Sequence, residues 1–293
     1  MRPVRLRAEL IPTIPAPVRV VGRNVVWAYG RATSGARPLP DFLIIGAQKA
    51  GTTALYAYLR QHPAITGPPW KEVSYFDRQY RRGPGWYRGN FPNRLYLRRA
   101  RARTGATPVV GEASPSYVFH PFAPERVAAL VPGVRLIVLV RNPIDRALSH
   151  YHHEVALGRE PLSFEDALDA EEARMQGELE RMRDPSYFSH AWWNHTYASR
   201  GLYAEQLQRW LELFARERLL VLPTDDLGTH PAETYGRVLE FLGAPPHRLE
   251  SFPRIFSREY AQMEPRTRET LRERFAEPNR RLYELLGRDF GWD

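Results

Sequence analysis

The stretch DFLIIGAQKAGTTALYAYLRQH, residues 41–62, decides the fold. It opens on an apolar run, Phe42-Leu43-Ile44-Ile45, short and partly β-branched, which predicts a buried parallel strand. The turn Gly46-Ala47-Gln48-Lys49-Ala50-Gly51 follows, and Thr52-Thr53 then starts a helical pattern with Leu55, Tyr58 and Leu59 on one face. Strand, glycine turn and helix together suit an anion: backbone N–H groups at a helix start point towards it, and the helix dipole adds favourable charge. Lys49 supplies a point charge, and Thr52 and Thr53 supply hydroxyl donors. The order is not that of a Walker A loop, which needs Gly-Lys-Ser/Thr in succession, because Lys49 here precedes Gly51. An ordinary βα turn with a surface lysine is the alternative, and the paired threonines weigh against it.

At 293 residues, 43% hydrophobic and 12% aromatic, the chain can bury a substantial core. A net charge of +9 points to an anionic partner: a nucleotide, an acidic glycan, an acidic membrane surface or nucleic acid. The charge is spread along the chain rather than gathered into one tail, which gives nucleic acid no special claim. With no cysteine, disulfides, thiol nucleophiles and cysteine-ligated zinc are excluded, which suits a reducing compartment such as the cytoplasm. Residues 1–38 are rich in Pro and Arg, and their one apolar patch, 18–29, is broken by Arg19, Gly22, Arg23 and Asn24. That patch is too short and too polar to span a bilayer. These residues read as a loosely packed basic arm, with weak contact to a membrane surface as the alternative.

Further along, residues 71–77, KEVSYFD, mix charged and apolar positions as a segment crossing a cleft would. A surface ion pair between Lys71 and Glu72 is the bland reading. Residues 78–105 read as an irregular basic surface. Pro108 to Glu112 predicts a second strand, turning at Ala113-Ser114-Pro115-Ser116-Tyr117, with a helix over 123–130 ended by Pro132-Gly133. The run VRLIVLV, 134–140, is the strongest strand and is followed at once by Arg141. An arginine at the carboxyl end of a buried parallel strand lies where open α/β sheets bind ligands, and it can grip a phosphate with two donors. Ser149, two turns along the next helix, can add a hydroxyl; a salt bridge from Arg141 to Asp145 is the alternative. Residues 160–200 read as a charged helical region leading into aromatics, of which Trp192, Trp193 and Tyr197 are core packing or an acceptor wall. A helix over 201–214, a strand over 219–222, a loop at 224–227, a helix over 233–242 capped by Gly243, a basic loop over 248–265 and a helix over 266–286 complete the chain. Strands separated by helices, without a second composition regime, predict one α/β domain with a parallel sheet.

On these residues the chain resembles the sulfotransferases that use 3′-phosphoadenylyl sulfate (PAPS), particularly the heparan-sulfate branch and its bacterial relatives. Gly-x-x-Lys-x-Gly-Thr-Thr-x-Leu looks like their 5′-phosphosulfate loop, so Gln48, Lys49, Ala50, Gly51, Thr52 and Thr53 are the implied cofactor contacts. RLIVLVRNPIDRALSHY, 135–151, looks like their 3′-phosphate motif, with Arg141 and Ser149 in the two contacting places. KEVSYFD resembles the segment that carries the proposed base, and Glu72 takes that place; Lys71, Asp77, Ser114 and Tyr117 are candidate acceptor contacts. Arg258 matches an arginine of the late loop that covers PAPS. The resemblance runs from about residue 41 to the end and departs at two points. Ala113 stands where vertebrate enzymes often carry Lys, and the disulfide near their late loop is impossible here.

The resemblance implies a P-loop-like three-layer fold over 39–293 and transfer of a sulfuryl group from PAPS to an acceptor hydroxyl or amine, the acceptor being a carbohydrate. Lys49 and Glu72 are the implied catalytic groups, and no metal is required. A nucleotide kinase on the same fold predicts Gly-Lys-Ser/Thr and a strand-end Asp for Mg²⁺, neither of which is present. A non-catalytic binder of anionic glycans stays open because of Ala113, and His62, His120 and His150 stand as rival bases.

Overall fold

The computed structural model describes residues 27–253 and 263–292. Five parallel strands form one sheet in the order β2-β3-β1-β4-β5: β1 Phe42–Gly46, β2 Ile65–Thr66, β3 Val109–Ala113, β4 Arg135–Val140 and β5 Leu219–Pro223. The opening strand β1 thus lies in the centre, with Leu43 paired to Glu112 on one side and Leu136 on the other. Every residue of β1 and β3 is buried, the pattern of a sheet covered on both faces.

The connections are helical: α1 Thr52–Leu59, α2 Gly83–Gly89, α3 Arg94–Thr104, α4 Ala123–Leu130, α5 Pro143–Ala156, α6 Tyr203–Leu211, α7 Pro231–Leu242 and α8 Pro265–Leu286, besides several shorter turns. The segment 78–105 departs from its irregular reading, because α2 and α3 lie within it. Asn93 caps α3 by accepting the Tyr96 N–H, and Gly105 ends it at φ 70°. Residues 160–200 form short separate helices, Phe164–Asp169, Glu171–Met175, Glu178–Arg181 and His190–Asn194. Residues 224–229 are a helical turn rather than a loop.

Of the N-terminal region, residues 27–38 pack on the body. The Trp27 ring meets Trp86 edge-on at 5.7 Å, and Arg37 donates to the Phe91 carbonyl. No helix among the described residues is long and apolar enough to cross a membrane.

Candidate active site

The loop from β1 to α1 is shaped by two glycines for different reasons. A Cβ on Gly46 would lie 2.2 Å from Val118 Cγ1, so close approach demands glycine there. Gly51 has room but sits at φ 89°, which side chains disfavour. The loop is held at several points. The Ala47 N–H donates to Leu139 O at 2.7 Å, Thr224 Oγ1 donates to Ala50 O at 2.8 Å, and Arg141 Nη1 donates to Lys49 O at 3.3 Å. With Gly51 as its N-cap, α1 begins at the carboxyl end of the central strand, and its first-turn N–H groups are those a helix leaves without internal partners. Thr52 is buried, whereas Gln48, Lys49 and Thr53 are partly exposed and Ala50 is enclosed. These residues fit a phosphate-bearing ligand.

Arg141 follows β4 directly, and Tyr203 Oη donates to its carbonyl at 2.9 Å. The alternative partner Asp145 pairs instead with Arg268 at 3.1 Å. Ser149 lies on α5, buried. On the inner side of α5, Arg146, His150 and Glu154 are also buried; Arg146 donates to the Tyr197 carbonyl, and His150 Nε2 lies 3.7 Å from Glu154 Oε1. Burial, with Arg146 and Arg200 close by, drives the His150 imidazole well below its ordinary range, so it is neutral. Arg258 lies outside the described residues.

The segment 71–77 hangs on the end of β3 through four successive N–H groups. Glu72 N–H donates to Ala113 O at 3.1 Å, Val73 N–H to the Glu112 carboxylate, Ser74 N–H to Ser114 Oγ at 3.0 Å and Tyr75 N–H to Tyr117 Oη at 2.8 Å. Glu112 is the hub. It is 1% exposed and also accepts from Tyr87 Oη at 2.9 Å, Ser114 Oγ at 2.7 Å and Tyr117 Oη at 3.0 Å. Burial raises its carboxyl while these donors pull it back. Ser114 and Tyr117 are thus buried beneath the segment. Asp77 is buried too: Oδ1 accepts the Arg78 N–H at 2.6 Å, Oδ2 has no hydrogen-bond partner among the described residues, and burial pushes its carboxyl up to about 7. Glu72, by contrast, keeps a side chain 46% exposed, bonded to Lys71 Nζ at 2.7 Å.

Two further features mark the same segments. Among the described residues the non-glycine positions at positive φ are Lys49 (70°), Glu72 (63°) and Ser74 (52°), all in the two site segments. Such conformations cost of order 1 kcal/mol each and persist where surroundings enforce them. Lys49 and Lys71 are also the only lysines in a chain whose Lys and Arg total 42. The rival histidines are all enclosed. His62 is bonded to Pro245 O at 2.9 Å, and burial takes His120 down to about 3. Trp192 stacks on Phe119 at 4.8 Å and Tyr197 is buried with its hydroxyl on Glu160, so both are packing.

Three adjacent strands, β3, β1 and β4, therefore bring the Glu72 segment, the Lys49 loop and Arg141 to one edge of the sheet. The family model described as Sulfotransferase domain matches residues 39–280. The chain belongs to the sulfotransferase family. A mouse heparan sulfate glucosamine 3-O-sulfotransferase 6 is 31% identical, over 99% of this chain and 79% of its own length. The human protein of the same name is 32% identical over 88% of this chain and 75% of its own. A sulfotransferase structure from Alicyclobacillus acidocaldarius superposes with a TM-score of 0.64 at 32% identity, covering 87% of this chain and 99% of that one. The α/β fold with a central parallel sheet is thus that of a sulfotransferase enzyme.

Proposed function

We propose that this sulfotransferase moves a sulfuryl group from PAPS to a carbohydrate hydroxyl, with Glu72 as general base. The reading is carried by the meeting of a helix-start anion loop, a strand-end arginine and a half-exposed glutamate at the carboxyl edge of three neighbouring strands. PAPS supplies an activated sulfuryl group whose bridging oxygen gains charge as its bond to sulfur breaks. The loop amides over 48–53, with the Thr52 and Thr53 hydroxyls, bind the 5′-phosphate, while Arg141 and Ser149 bind the 3′-phosphate. Lys49 stabilises charge on the leaving oxygen. Glu72 takes the acceptor proton, a contribution worth about 10²–10⁴-fold, and Lys71 orients its carboxylate. The relatives named as heparan sulfate sulfotransferases favour a glycan as acceptor. Residues 39–293 act as one catalytic domain.

The pair of lysines gives a direct test. An amine-acetylating reagent has two side-chain targets, distinguishable by mass spectrometry. Adenosine 3′,5′-bisphosphate should shield Lys49 strongly and AMP weakly. Equal labelling of Lys49 with and without the bisphosphate would sink the nucleotide assignment. Glu72→Gln should keep that shielding and lose transfer of labelled sulfate to glycans by about 10²-fold or more. A Gln variant that retains most of its transfer activity would remove Glu72 from its role.

A further inference from the structure

α3 carries Arg94, Arg98, Arg99, Arg101 and Arg103, all exposed, and no acidic residue. Ala100 is buried and Leu97 packs against the core, which fixes the inward line of the helix. At about 3.6 residues per turn, the opposite, outward line falls on Leu95 and Ala102, about two turns apart. Arg94 and Arg98 flank that line on one side, Arg99 and Arg103 on the other. Leu95 is 55% exposed, so the summit of the helix is a leucine in water between guanidinium groups. The exposed Tyr96 ring lies at the edge of this face and lines a hollow of about 320 Å³ together with Arg37 and Trp70. Arg37 in turn lies 5.5 Å from the ring of Tyr29, a second exposed tyrosine. The described chain begins beside this hollow, since the Trp27 ring meets Trp70 at 6.3 Å. The residues before Trp27 hold Arg2, Arg5, Arg7, Arg19 and Arg23 against one acid, Glu9.

We propose that the α3 face seats the protein on an anionic lipid surface, with Leu95 reaching the acyl boundary and the arginines at the level of the phosphates. Interfacial helices combine an apolar line with basic residues that lay their stems along the lipid and keep their charge among the headgroups. Guanidinium groups bind phosphate oxygens with paired donors, and an acidic leaflet attracts each basic residue held near it. A soluble polyanion fits this face less well. It gains nothing from a leucine at the summit, and the arginines diverge on both sides of that leucine instead of lining one trough. The apolar line is narrow, so the seating is shallow and reversible. Trp70 lies two residues before Glu72, so the seat adjoins the segment that carries the proposed base. The proposal holds whichever acceptor hydroxyl is sulfated.

The test sediments the full chain with sucrose-loaded vesicles, of phosphatidylcholine alone and of phosphatidylcholine mixed with phosphatidylserine. Wild type is compared with Arg98→Glu/Arg99→Glu, with Leu95→Ser, and with Arg272→Glu/Arg280→Glu, which changes net charge equally at exposed positions of α8. Unchanged melting shows that each variant is folded. Wild type should bind the mixed vesicles, less so as salt rises, and phosphatidylcholine alone only weakly. Partitioning should fall about tenfold or more in the α3 double variant and about threefold or more in Leu95→Ser, and stay near wild type in the α8 variant. Mixed vesicles that fail to bind wild type overturn the seat. So does an equal loss in the α3 and α8 double variants, which would make the attraction one of net charge, or full binding by Leu95→Ser, which would remove the apolar contact. An α3 double variant that keeps the vesicles but loses a heparan sulfate octasaccharide would assign the arginines to a soluble glycan instead. Vesicle binding that survives in that variant and is lost only in Arg19→Glu/Arg23→Glu would move the contact to the N-terminal residues and overturn the α3 seat.

Discussion

At the scale of single residues, charge and its surroundings set the expectations. If Lys49 stabilises the leaving oxygen as proposed, Lys49→Ala should lower kcat more than it weakens PAPS binding, because such a contact strengthens as charge grows in the transition state. An unchanged kcat with a raised KM would make Lys49 a binding residue only. Arg141→Ala should cost about 1.5–3 kcal/mol of affinity for adenosine 3′,5′-bisphosphate and leave the variant nearly blind to the 3′-phosphate; titration against AMP reads this directly. Asp77 makes a stability prediction. Its carboxyl rises from 3.8 in the unfolded chain to about 7 in the fold, mainly through burial. Between those values the folded state holds a proton that the unfolded state has released, so folding stability falls as pH rises through that window. Asp77→Asn removes the penalty, and its stabilising effect in urea unfolding should be larger at pH 8 than at pH 5. The place of Arg141 at a strand end was legible in the sequence because it follows the most apolar strand, Arg135–Val140. Glu112 was not recognised as a hub, because its partners Tyr87, Ser114, Tyr117 and Val73 come together only in the fold.

At the scale of elements, the end of β3 acts as a hanger for the Glu72 segment. Ser114→Ala strands the Ser74 N–H and removes one Glu112 donor, and Tyr117→Phe does the same for Tyr75. Each change leaves a buried donor unpaired and should cost about 1–3 kcal/mol of stability. If the hanger positions Glu72, each should also lower kcat while nucleotide affinity is kept. Loss of stability without any change in kcat would confine Ser114 and Tyr117 to structure. Elements with strong periodicity were legible: the helix expected over 123–130 is Ala123–Leu130, and the strand expected over 134–140 is Arg135–Val140. α3 was hidden because its arginines masked a one-sided pattern of only Leu97 and Ala100, although Asn93 and Gly105 mark both ends. The charged run after residue 160 breaks into short helices partly because Gly177, at φ 74°, interrupts it.

At the scale of the whole molecule, a parallel sheet was readable from apolar strands alternating with helices, but its order was not, since that depends on which strands meet in space. A ligand that binds only the folded form adds stability by mass action. Adenosine 3′,5′-bisphosphate at a hundred times its Kd should contribute about 2.7 kcal/mol and raise the melting temperature, whereas sulfate alone at matched ionic strength should contribute far less. The central place of β1 bears on how the chain is made. Emerging early from the ribosome, residues 42–46 must wait for both neighbours, and β4 ends only at residue 140. At about 5–20 residues per second the delay is roughly 5–20 s, during which an apolar strand lacks its lateral partners. Nascent chains arrested before residue 134 should therefore leave 41–62 open to protease and be the species that chaperones capture. Chains extended past β5 should resist cleavage there.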